Sequence, residues 1–321
     1  MKAVVYHSYG NSNVLKIEEV EKPIPNDDEA LIRVCASSLN PADWYAMTGL
    51  LLARFGNGLR KPNATRLGTD FSGVVEAVGK GVTQFQPGDK VYGARSGAWA
   101  EYICVRSFIF PKPTNITFEQ AGGVAVAAIT ALQGLRDYGK LQSGQKVLIN
   151  GASGGVGTFA VQIAKALGAE VAGVCSPGNV WLIQALGADR VIDYTREDFT
   201  SDRQSYDLLL DIAGSRSFRE YKRILKPNAH VVIVGGPKSN RVVGALGHVI
   251  RSQLWAIGFG IKPTFFVARF NHPDFQLLGQ WLTSGQVKPV VDRVYPLSEI
   301  SAAMRYLEDG HTKGKIIVTI S

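Results

Sequence analysis

The chain has 321 residues, a length sufficient for about two domains with apolar cores of their own. Hydrophobic residues make up 45% and charged residues 19% of the chain, and this composition excludes disordered and fibrous proteins. The net charge of +8 is spread along the chain without a cluster of Lys and Arg, which argues against a nucleic-acid-binding protein. The cysteines Cys35, Cys104 and Cys175 are isolated, so a disulfide framework and a CxxC zinc lobe are excluded.

The first residues lead directly into a strand-like alternation, with no apolar signal core and no cleavage site. We therefore expect a cytoplasmic protein. An uncharged run of 18 residues at 147–164 has the length of a short membrane span, but its glycine-rich centre favours a strand, a turn and a helix. A second apolar stretch at 242–270 is interrupted by charges and cannot span a bilayer. This stretch could contact a membrane surface, be buried in the protein or face another copy in an oligomer, and the sequence leaves these three alternatives open.

Short β-like segments dominate residues 1–124, separated by turn signals rich in Pro, Gly and Asp. This spacing is typical of a small β-barrel-like domain. We predict its strands at 2–6, 15–18, 30–37, 70–78, 90–92 and 99–105.

Strands and helices alternate regularly after residue 124. Because parallel strands need crossover connections, this alternation predicts a doubly wound parallel sheet. The predicted strands lie at 147–150, 171–175, 190–194, 207–212 and 230–235, and the helices between them at 156–167, 180–186 and 216–225. Two more helices are predicted at 274–284 and 298–309, the second with Ser298 as its N-cap and Gly310 as its stop, before a last strand at 315–320.

A glycine-rich turn joins the strand at 147–150 to the next helix and reads NGASGGVG at 150–157. It matches the dinucleotide-binding fingerprint in its AxGxxG form. Small residues are needed there because backbone N–H groups approach a pyrophosphate closely at the helix N-terminus. We predict that the Gly155 and Val156 amides bind this group beside Gly154, with help from the Ser153 hydroxyl. The alternative is a turn that is tight for structural reasons alone.

The residues after the second parallel strand indicate which dinucleotide binds. NAD sites usually carry Asp or Glu there to bind the ribose 2′-OH, but this strand ends in SPGN at 176–179. A 2′-phosphate would therefore not be repelled. Ser176 can donate to that phosphate, and Tyr194 follows the third strand at the same corner. The pattern favours NADPH and leaves NADH open, since no Lys or Arg lies at 176–179.

Six motifs along the whole chain resemble those of the medium-chain dehydrogenase/reductase superfamily, specifically its zinc-independent quinone oxidoreductase branch. They are SSLNPADWY at 37–45, LGTDFSGVVEAVG at 67–79, PGDKVYG at 87–93, the glycine turn at 150–157, ADRVIDY at 188–194 and GKIIV at 314–318. The resemblance implies an α/β protein in which a Rossmann NAD(P)-binding domain (125–264) is inserted in a GroES-like β-barrel catalytic domain (1–124 and 265–321).

The resemblance also bears on the reaction. Zinc-dependent members of the superfamily carry a catalytic Cys and His where this chain has Asn40 and Thr69, and neither is a typical zinc ligand. It therefore implies a metal-free enzyme that transfers hydride from reduced nicotinamide to a quinone or an α,β-unsaturated carbonyl compound. The alternatives are an enoyl or alkenal reductase acting on C=C bonds and a non-catalytic NADPH-binding sensor or structural protein.

The residues matching Tyr45 and Asn40 line the substrate cleft in similar reductases. Tyr45 would hydrogen-bond the acceptor oxygen or relay a proton, and Asn40 would orient the substrate or the nicotinamide. From the residues alone, Tyr45 can equally form part of a wall, and Asn40 can form a turn before a proline. We interpret Asp43 as a cap of a short helix rather than as an acid or base.

Four further cofactor contacts follow from the same resemblance. Thr130 matches a position that approaches the nicotinamide, and Phe266 and Val267 match a loop that contacts its carboxamide. Their alternatives are a helix-buried hydroxyl and ordinary core packing. Asn179 lies where some relatives have a lysine near the adenosine phosphate. The resemblance also implies a homodimer.

Overall fold

The computed structural model describes residues 1–201, 204–236, 263–310 and 312–320. Most of the apolar stretch at 242–270, for which membrane contact, burial and an oligomer contact were the alternatives, lies outside these residues. Two compact units are present. The first contains Met1–Val126, Phe270–Gly285 and Pro289–Ser321, and the second contains Ala127–Arg269 and Gln286–Lys288. The domain boundaries predicted from sequence lay at 124 and 264, and the short return at 286–288 was not predicted.

The first unit is built around antiparallel strands. Its strands are β1 (Lys2–Val5), β2 (Lys16–Glu19), β3 (Ala30–Ser38), β4 (Asp70–Val78), β5 (Lys90–Ala94), β6 (Tyr102–Val105), β7 (Ile109–Pro111), β14 (Val291–Pro296) and β15 (Lys315–Thr319). β1 pairs with β2, and the seven others form one sheet in the order β14-β15-β3-β4-β5-β7, with β6 also on β3. Because β3 pairs with β15, β4 and β6, it brings distant parts of the chain together at its ends.

Short helices cover the first unit. They are α1 (Pro41–Thr48), α2 (Leu51–Asn57), α3 (Phe118–Ala121), α8 (His272–Ser284) and α9 (Ile300–Asp309). The core beneath them includes the fully buried side chains of Tyr6, Ile32, Met47, Phe71 and Trp99. The members of this core recur at every second position of the strands, as at 30, 32 and 34 on β3 and at 316 and 318 on β15, so one face of the sheet is buried in it.

The second unit confirms the predicted Rossmann architecture. Its strands are β8 (Lys146–Asn150), β9 (Glu170–Cys175), β10 (Arg190–Asp193), β11 (Tyr206–Asp211), β12 (Leu225–Ile233) and β13 (Pro263–Phe265), and its helices are α4 (Ala125–Gln133), α5 (Gly155–Ala166), α6 (Val180–Ala185) and α7 (Phe218–Tyr221). All pairs are parallel, in the order β10-β9-β8-β11-β12-β13. The order reverses between β8 and β11, and ligands of such sheets bind at the carboxyl ends of the strands there.

Two helix predictions need correction and one stop signal is confirmed. The predicted helix at 216–225 is only one turn long, because a 3-10 turn (Lys222–Ile224) follows Tyr221 and β12 begins at Leu225. Ser298 is not an N-cap, since it lies inside a 3-10 turn and Glu299 precedes α9. Gly310 does end that helix, with a left-handed φ of 83° that glycine adopts without steric cost.

The structure also bears on membrane insertion. Over the part of the chain that it describes, no helix combines the length and the apolar character needed to cross a bilayer.

Candidate active site and cofactor site

The glycine-rich turn leads from β8 into α5 and lies against the end of β9. The backbone N–H groups of Gly151 and Ala152 donate to the Val174 carbonyl over 3.3 and 3.0 Å. Gly154 precedes the first turn of α5, so the Gly155 and Val156 amides belong to a helix N-terminus, whose N–H groups have no partners within the helix. Ser153 through Val156 are all half-buried. The predicted phosphate donors therefore lie together at the carboxyl edge of the sheet.

The glycines of this turn differ in the space around them. A Cβ at Gly157 would lie 2.2 Å from the Gly151 carbonyl oxygen, so the helix and the turn approach too closely for any side chain. At Gly154 the nearest atom to such a Cβ is the Gly151 carbonyl oxygen at 3.7 Å, and the surroundings are open. Gly157 is thus required by packing, whereas Gly154 leaves a bare backbone facing open space, as a pyrophosphate site requires.

The residues predicted to bind the adenosine ribose lie together at the carboxyl ends of the neighbouring strands β9 and β10. Asn179 is 5% exposed, and its Nδ2 donates to the Ser176 Oγ over 2.9 Å. Its Oδ1 is buried and has no hydrogen-bond partner among the described residues. The Tyr194 N–H donates to the Cys175 carbonyl, which places this exposed tyrosine beside Ser176. An unpartnered buried polar atom at this edge fits a site that a ligand completes.

The predicted nicotinamide contacts form a second group in the same unit. Thr130 is half-buried on α4. The Gln133 side chain at the end of this helix exchanges two hydrogen bonds with the Arg269 backbone, at 2.7 and 3.0 Å. Phe266 is buried and stacks on Tyr138 with 4.3 Å between ring centroids. Val267 is 74% exposed. α4 and the segment 266–269 are therefore held next to one another, as the predicted loop contact requires.

A buried polar cluster at the point where the strand order reverses was missed by the sequence analysis. The Asn150 Nδ2 at the end of β8 lies 2.8, 3.1 and 3.1 Å from Asp211 Oδ1, Ser215 Oγ and Tyr221 Oη, and its two N–H groups donate among these acceptors. The Gly214 N–H also donates to Asp211. Burial, followed by the nearby Asp211 charge, raises the pKa of Tyr221 above its ordinary value. The cluster joins the ends of β8 and β11, and the only sequence signal was a polar residue at the end of each strand.

In the first unit, the two predicted catalytic residues lie on α1 and directly before it. Tyr45 is half-buried, with its ring edge-on to Trp44 at 5.3 Å between centroids. Asn40 precedes the helix and is 3% exposed. Its Nδ2 donates to Asp70 Oδ2 over 3.0 Å, and its Oδ1 accepts from Lys315 Nζ over 2.6 Å. Both ends of the amide are therefore used inside the protein, and Asn40 holds the start of α1 in place.

The partners of Asn40 form a buried ion pair. Lys315 is 3% exposed and Asp70 is fully buried, with 3.3 Å between Nζ and Oδ2. Ser38 Oγ donates to the same carboxylate oxygen. The other oxygen of Asp70 accepts from the Val126 N–H over 2.6 Å. A charged pair can be buried at this depth when hydrogen bonds satisfy its remaining polar atoms, as these do. Both residues belong to motifs recognised in the sequence, but neither was assigned a role.

Asp43 lies beside this pair and caps α1, as predicted. Its Oδ2 accepts from the Asn40 N–H over 2.8 Å, and its Oδ1 accepts from the Gly68 N–H over 3.1 Å. Burial raises its pKa to about 7; the two backbone hydrogen bonds and Lys315 oppose this shift, and Asp70 adds to it. The carboxylate therefore ties the start of α1 to the loop before β4.

Comparison with known proteins identifies the family. Residues 26–114 match the alcohol dehydrogenase GroES-like domain, and residues 186–318 match the family described as zinc-binding dehydrogenase. The chain is 32% identical to 2-methylene-furan-3-one reductase of Solanum lycopersicum, over 99% of its own length and 79% of that protein. It belongs to the medium-chain dehydrogenase/reductase superfamily, in its zinc-independent branch.

Two further relatives agree with this assignment. The chain is 34% identical to the NADPH-dependent alkenal/one oxidoreductase of Arabidopsis thaliana chloroplasts, over 99% of its own length and 79% of that protein. The structure of the quinone oxidoreductase from Coxiella burnetii superposes with a TM-score of 0.86 at 30% identity, covering 100% of this chain and 99% of that one. The predicted fold of this medium-chain reductase is thereby confirmed.

The positions that hold zinc ligands in other members of the superfamily have a different chemistry here. Asn40 is engaged by Asp70 and Lys315, and Thr69 follows the loop that Asp43 binds. Within the described ranges, no three His, Cys, Asp or Glu side chains lie close enough together to hold a metal ion. In this reductase, the loop and the start of α1 are joined by hydrogen bonds of Asp43 and Asn40.

The raised pKa of Asp43 predicts an unusual pH dependence of stability. Because the pKa rises from 3.8 to about 7 on folding, the folded state binds this proton more tightly than the unfolded chain does. Protonation of Asp43 therefore stabilises the folded state. This contribution to the free energy of unfolding is complete below about pH 4 and is lost as the pH rises to about 7, at up to ~1.4 kcal/mol per pH unit. Urea unfolding at about pH 5 and about pH 8 should show a larger loss of stability for the wild type than for Asp43→Asn. Equal losses would contradict the prediction.

Proposed function

We propose that this chain is an NADPH-dependent oxidoreductase that reduces quinones or α,β-unsaturated carbonyl compounds without a metal. The observation that carries the proposal is the open backbone at Gly154, placed beside the point where the strand order reverses. The names of two relatives, an NADPH-dependent alkenal/one oxidoreductase and a 2-methylene-furan-3-one reductase, support it. The quinone oxidoreductase of Coxiella burnetii supports the quinone alternative.

Each part of the cofactor has candidate partners in the second unit. The amides of Gly155 and Val156 would hold the pyrophosphate, with Gly154 and Ser153 beside them. The residues Ser176, Asn179 and Tyr194 would bind the adenosine ribose and its phosphate. The residues Thr130, Phe266 and Val267 would contact the nicotinamide. When bound, NADPH supplies the hydride for the reduction, while the protein binds and orients both reactants.

On the substrate side, α1 of the first unit carries the proposed roles. The Tyr45 hydroxyl is the group that would donate a hydrogen bond, or a proton, to the acceptor oxygen as negative charge develops on it. Asn40 acts as a positioning residue in this proposal, because its amide is already bonded to Asp70 and Lys315. Asp43 supports the same helix start.

Turnover assays test the proposed activity. Purified protein is mixed with NADPH or NADH and with quinones, enones and a saturated ketone, and oxidation of the cofactor is followed by absorbance. We expect NADPH oxidation with quinones or enones and none with a saturated ketone. Product analysis then separates reduction of a quinone from reduction of a C=C bond. Tight NADPH binding without turnover of any acceptor would contradict the enzyme and favour the non-catalytic NADPH-binding alternative.

The role of Tyr45 predicts a specific kinetic change. Removing the hydroxyl with Tyr45→Phe should lower kcat by about 10–100-fold with little change in KM, because general acid catalysis acts mainly in the transition state. The control is Tyr295→Phe on β14, which removes a hydroxyl from a half-buried tyrosine without a proposed role. A Tyr45→Phe enzyme with the wild-type kcat would show that the hydroxyl is dispensable.

The proposal includes a cytoplasmic homodimer. The dimer follows from the resemblance to quinone oxidoreductases, and sedimentation should then give twice the mass of 34.7 kDa. Cell fractionation tests the location, and recovery in an organelle would contradict it.

A further inference from the structure

A groove in the first unit lies apart from the residues assigned above. It is bounded by β5, β7 and the segment after β7 on one side and by α8 on the other, and its volume is about 700 Å³. Its aromatic wall consists of Tyr92, Phe110 and Phe275, and the last two stack with 4.4 Å between ring centroids. This volume is in the range of small-molecule sites.

The hydroxyl of Tyr92 is an unexplained polar group in this wall. Tyr92 is fully buried, and its Oη has no hydrogen-bond partner among the residues described. A buried hydroxyl left without a partner typically destabilises a protein by about 1–3 kcal/mol. Burial raises the pKa of Tyr92 above its ordinary value, so the group remains a donor at neutral pH. Phenylalanine would fill the same space without this cost.

A glycine in the middle of α8 is the second unexplained feature. Gly279 lies within the helix His272–Ser284, where glycine is less stable than alanine by about 1 kcal/mol. No close contact requires it, because the only atom within 4 Å of a Cβ built there is Tyr92 Oη at 3.6 Å. The missing side chain therefore leaves empty space beside the unpartnered hydroxyl, and Gly279 itself lines the groove.

The lining determines the chemistry of a ligand. None of the ten lining residues carries a formal charge, so an ionic ligand would gain no compensating contact. The walls are aromatic, and the rim carries the exposed amides of Gln276 and Gln280. The hydroxyl of Tyr92 offers a donor and calls for an acceptor. These features fit an uncharged aromatic compound with a carbonyl oxygen.

We propose that this groove is a second binding site, separate from the cofactor and substrate residues, for an uncharged aromatic carbonyl compound. A ring of the ligand packs on the half-buried Phe110, which stacks on the fully buried Phe275 behind it, and the carbonyl oxygen accepts from Tyr92 Oη beside Gly279. Local features that lower stability without a structural reason tend to mark functional sites, and here the hydroxyl, the helical glycine and the open groove coincide.

Photolabelling with benzophenone tests the site. This uncharged diaryl ketone forms a covalent bond to nearby C–H groups under near-ultraviolet light, and mass spectrometry locates the label. We expect saturable labelling of the peptides that carry residues 110–113 or 275–284. Gly279→Leu fills the groove and should lower that labelling at least ~10-fold, whereas Tyr92→Phe should weaken apparent affinity by about 2–10-fold through loss of one hydrogen bond.

Two controls separate filling of the groove from general effects. Gly56→Leu makes the same substitution in α2, where nothing lies within 4 Å of the added Cβ, and should leave labelling unchanged. Thr283→Trp covers the rim one turn after Gly279 and should lower labelling even if Gly279→Leu misfolds. Labelling confined to other peptides would overturn the proposal. So would equal labelling of the wild type, Gly279→Leu and Thr283→Trp. So would a wild-type dimer that Gly279→Leu converts to a monomer, since the groove would then be an interface between copies.

Discussion

Replacing Lys315 by methionine should lower the free energy of unfolding by about 3–5 kcal/mol, because the Asp70 charge would stay buried without its partner. Both side chains lie inside the first unit, with exposed fractions of 4% and 0%. Methionine fills a similar volume, so the loss reports the charge rather than a cavity. Urea unfolding monitored by circular dichroism measures it.

The control for this prediction is Lys313→Met, two residues earlier at an exposed position, which should change stability by less than about 0.5 kcal/mol. A double variant, Asp70→Asn with Lys315→Met, removes both charges. The double variant contains no unpaired buried charge. Its loss of unfolding free energy should therefore be smaller, by about 2 kcal/mol, than the sum of the losses in the two single variants. Additive effects would show that the two groups are not energetically coupled.

Substitution of Gly157 should disrupt both the fold and cofactor binding of the second unit. A Cβ there would lie 2.2 Å from the Gly151 carbonyl oxygen and 2.6 Å from the Ala152 carbonyl carbon and oxygen. These are backbone atoms, so α5 must move away from the turn. Gly157→Ala should lower stability by about 1–3 kcal/mol or more and weaken NADPH binding at least ~10-fold. Thermal unfolding and calorimetric titration with NADPH measure the two effects.

The matched variant Gly154→Ala separates folding from binding. Its Cβ would meet no atom closer than 3.7 Å, so stability should fall by less than about 1 kcal/mol, the usual effect of a weaker N-cap. NADPH affinity should still fall at least ~10-fold, because the methyl group occupies the space in which the backbone approaches the pyrophosphate. Wild-type affinity in this variant would show that the dinucleotide does not bind at this turn.

Sequence patterns predicted the second unit with little error. The turn at 150–157, its flanking strand and helix, and four of the five predicted parallel strands lie within one residue of their predicted ends. These features are local, since periodicity, caps and glycine spacing act over a few residues. The helix at 216–225 was wrong because a 3-10 turn and an early β12 replace its second half. There, sheet pairing outweighs local helical preference.

The sequence by itself determined the fold class and the nucleotide-binding turn. It also showed Asn40 and Thr69 at the positions where zinc-dependent members of the superfamily carry Cys and His. Only the tertiary structure showed that Asn40 is bonded to Asp70 and to Lys315, two groups 245 residues apart in sequence. The raised pKa of Asp43 and the unpartnered, buried hydroxyl of Tyr92 likewise follow from the tertiary structure alone. Burial and charge pairing depend on which distant residues the sheet brings together, and no local pattern contains that information.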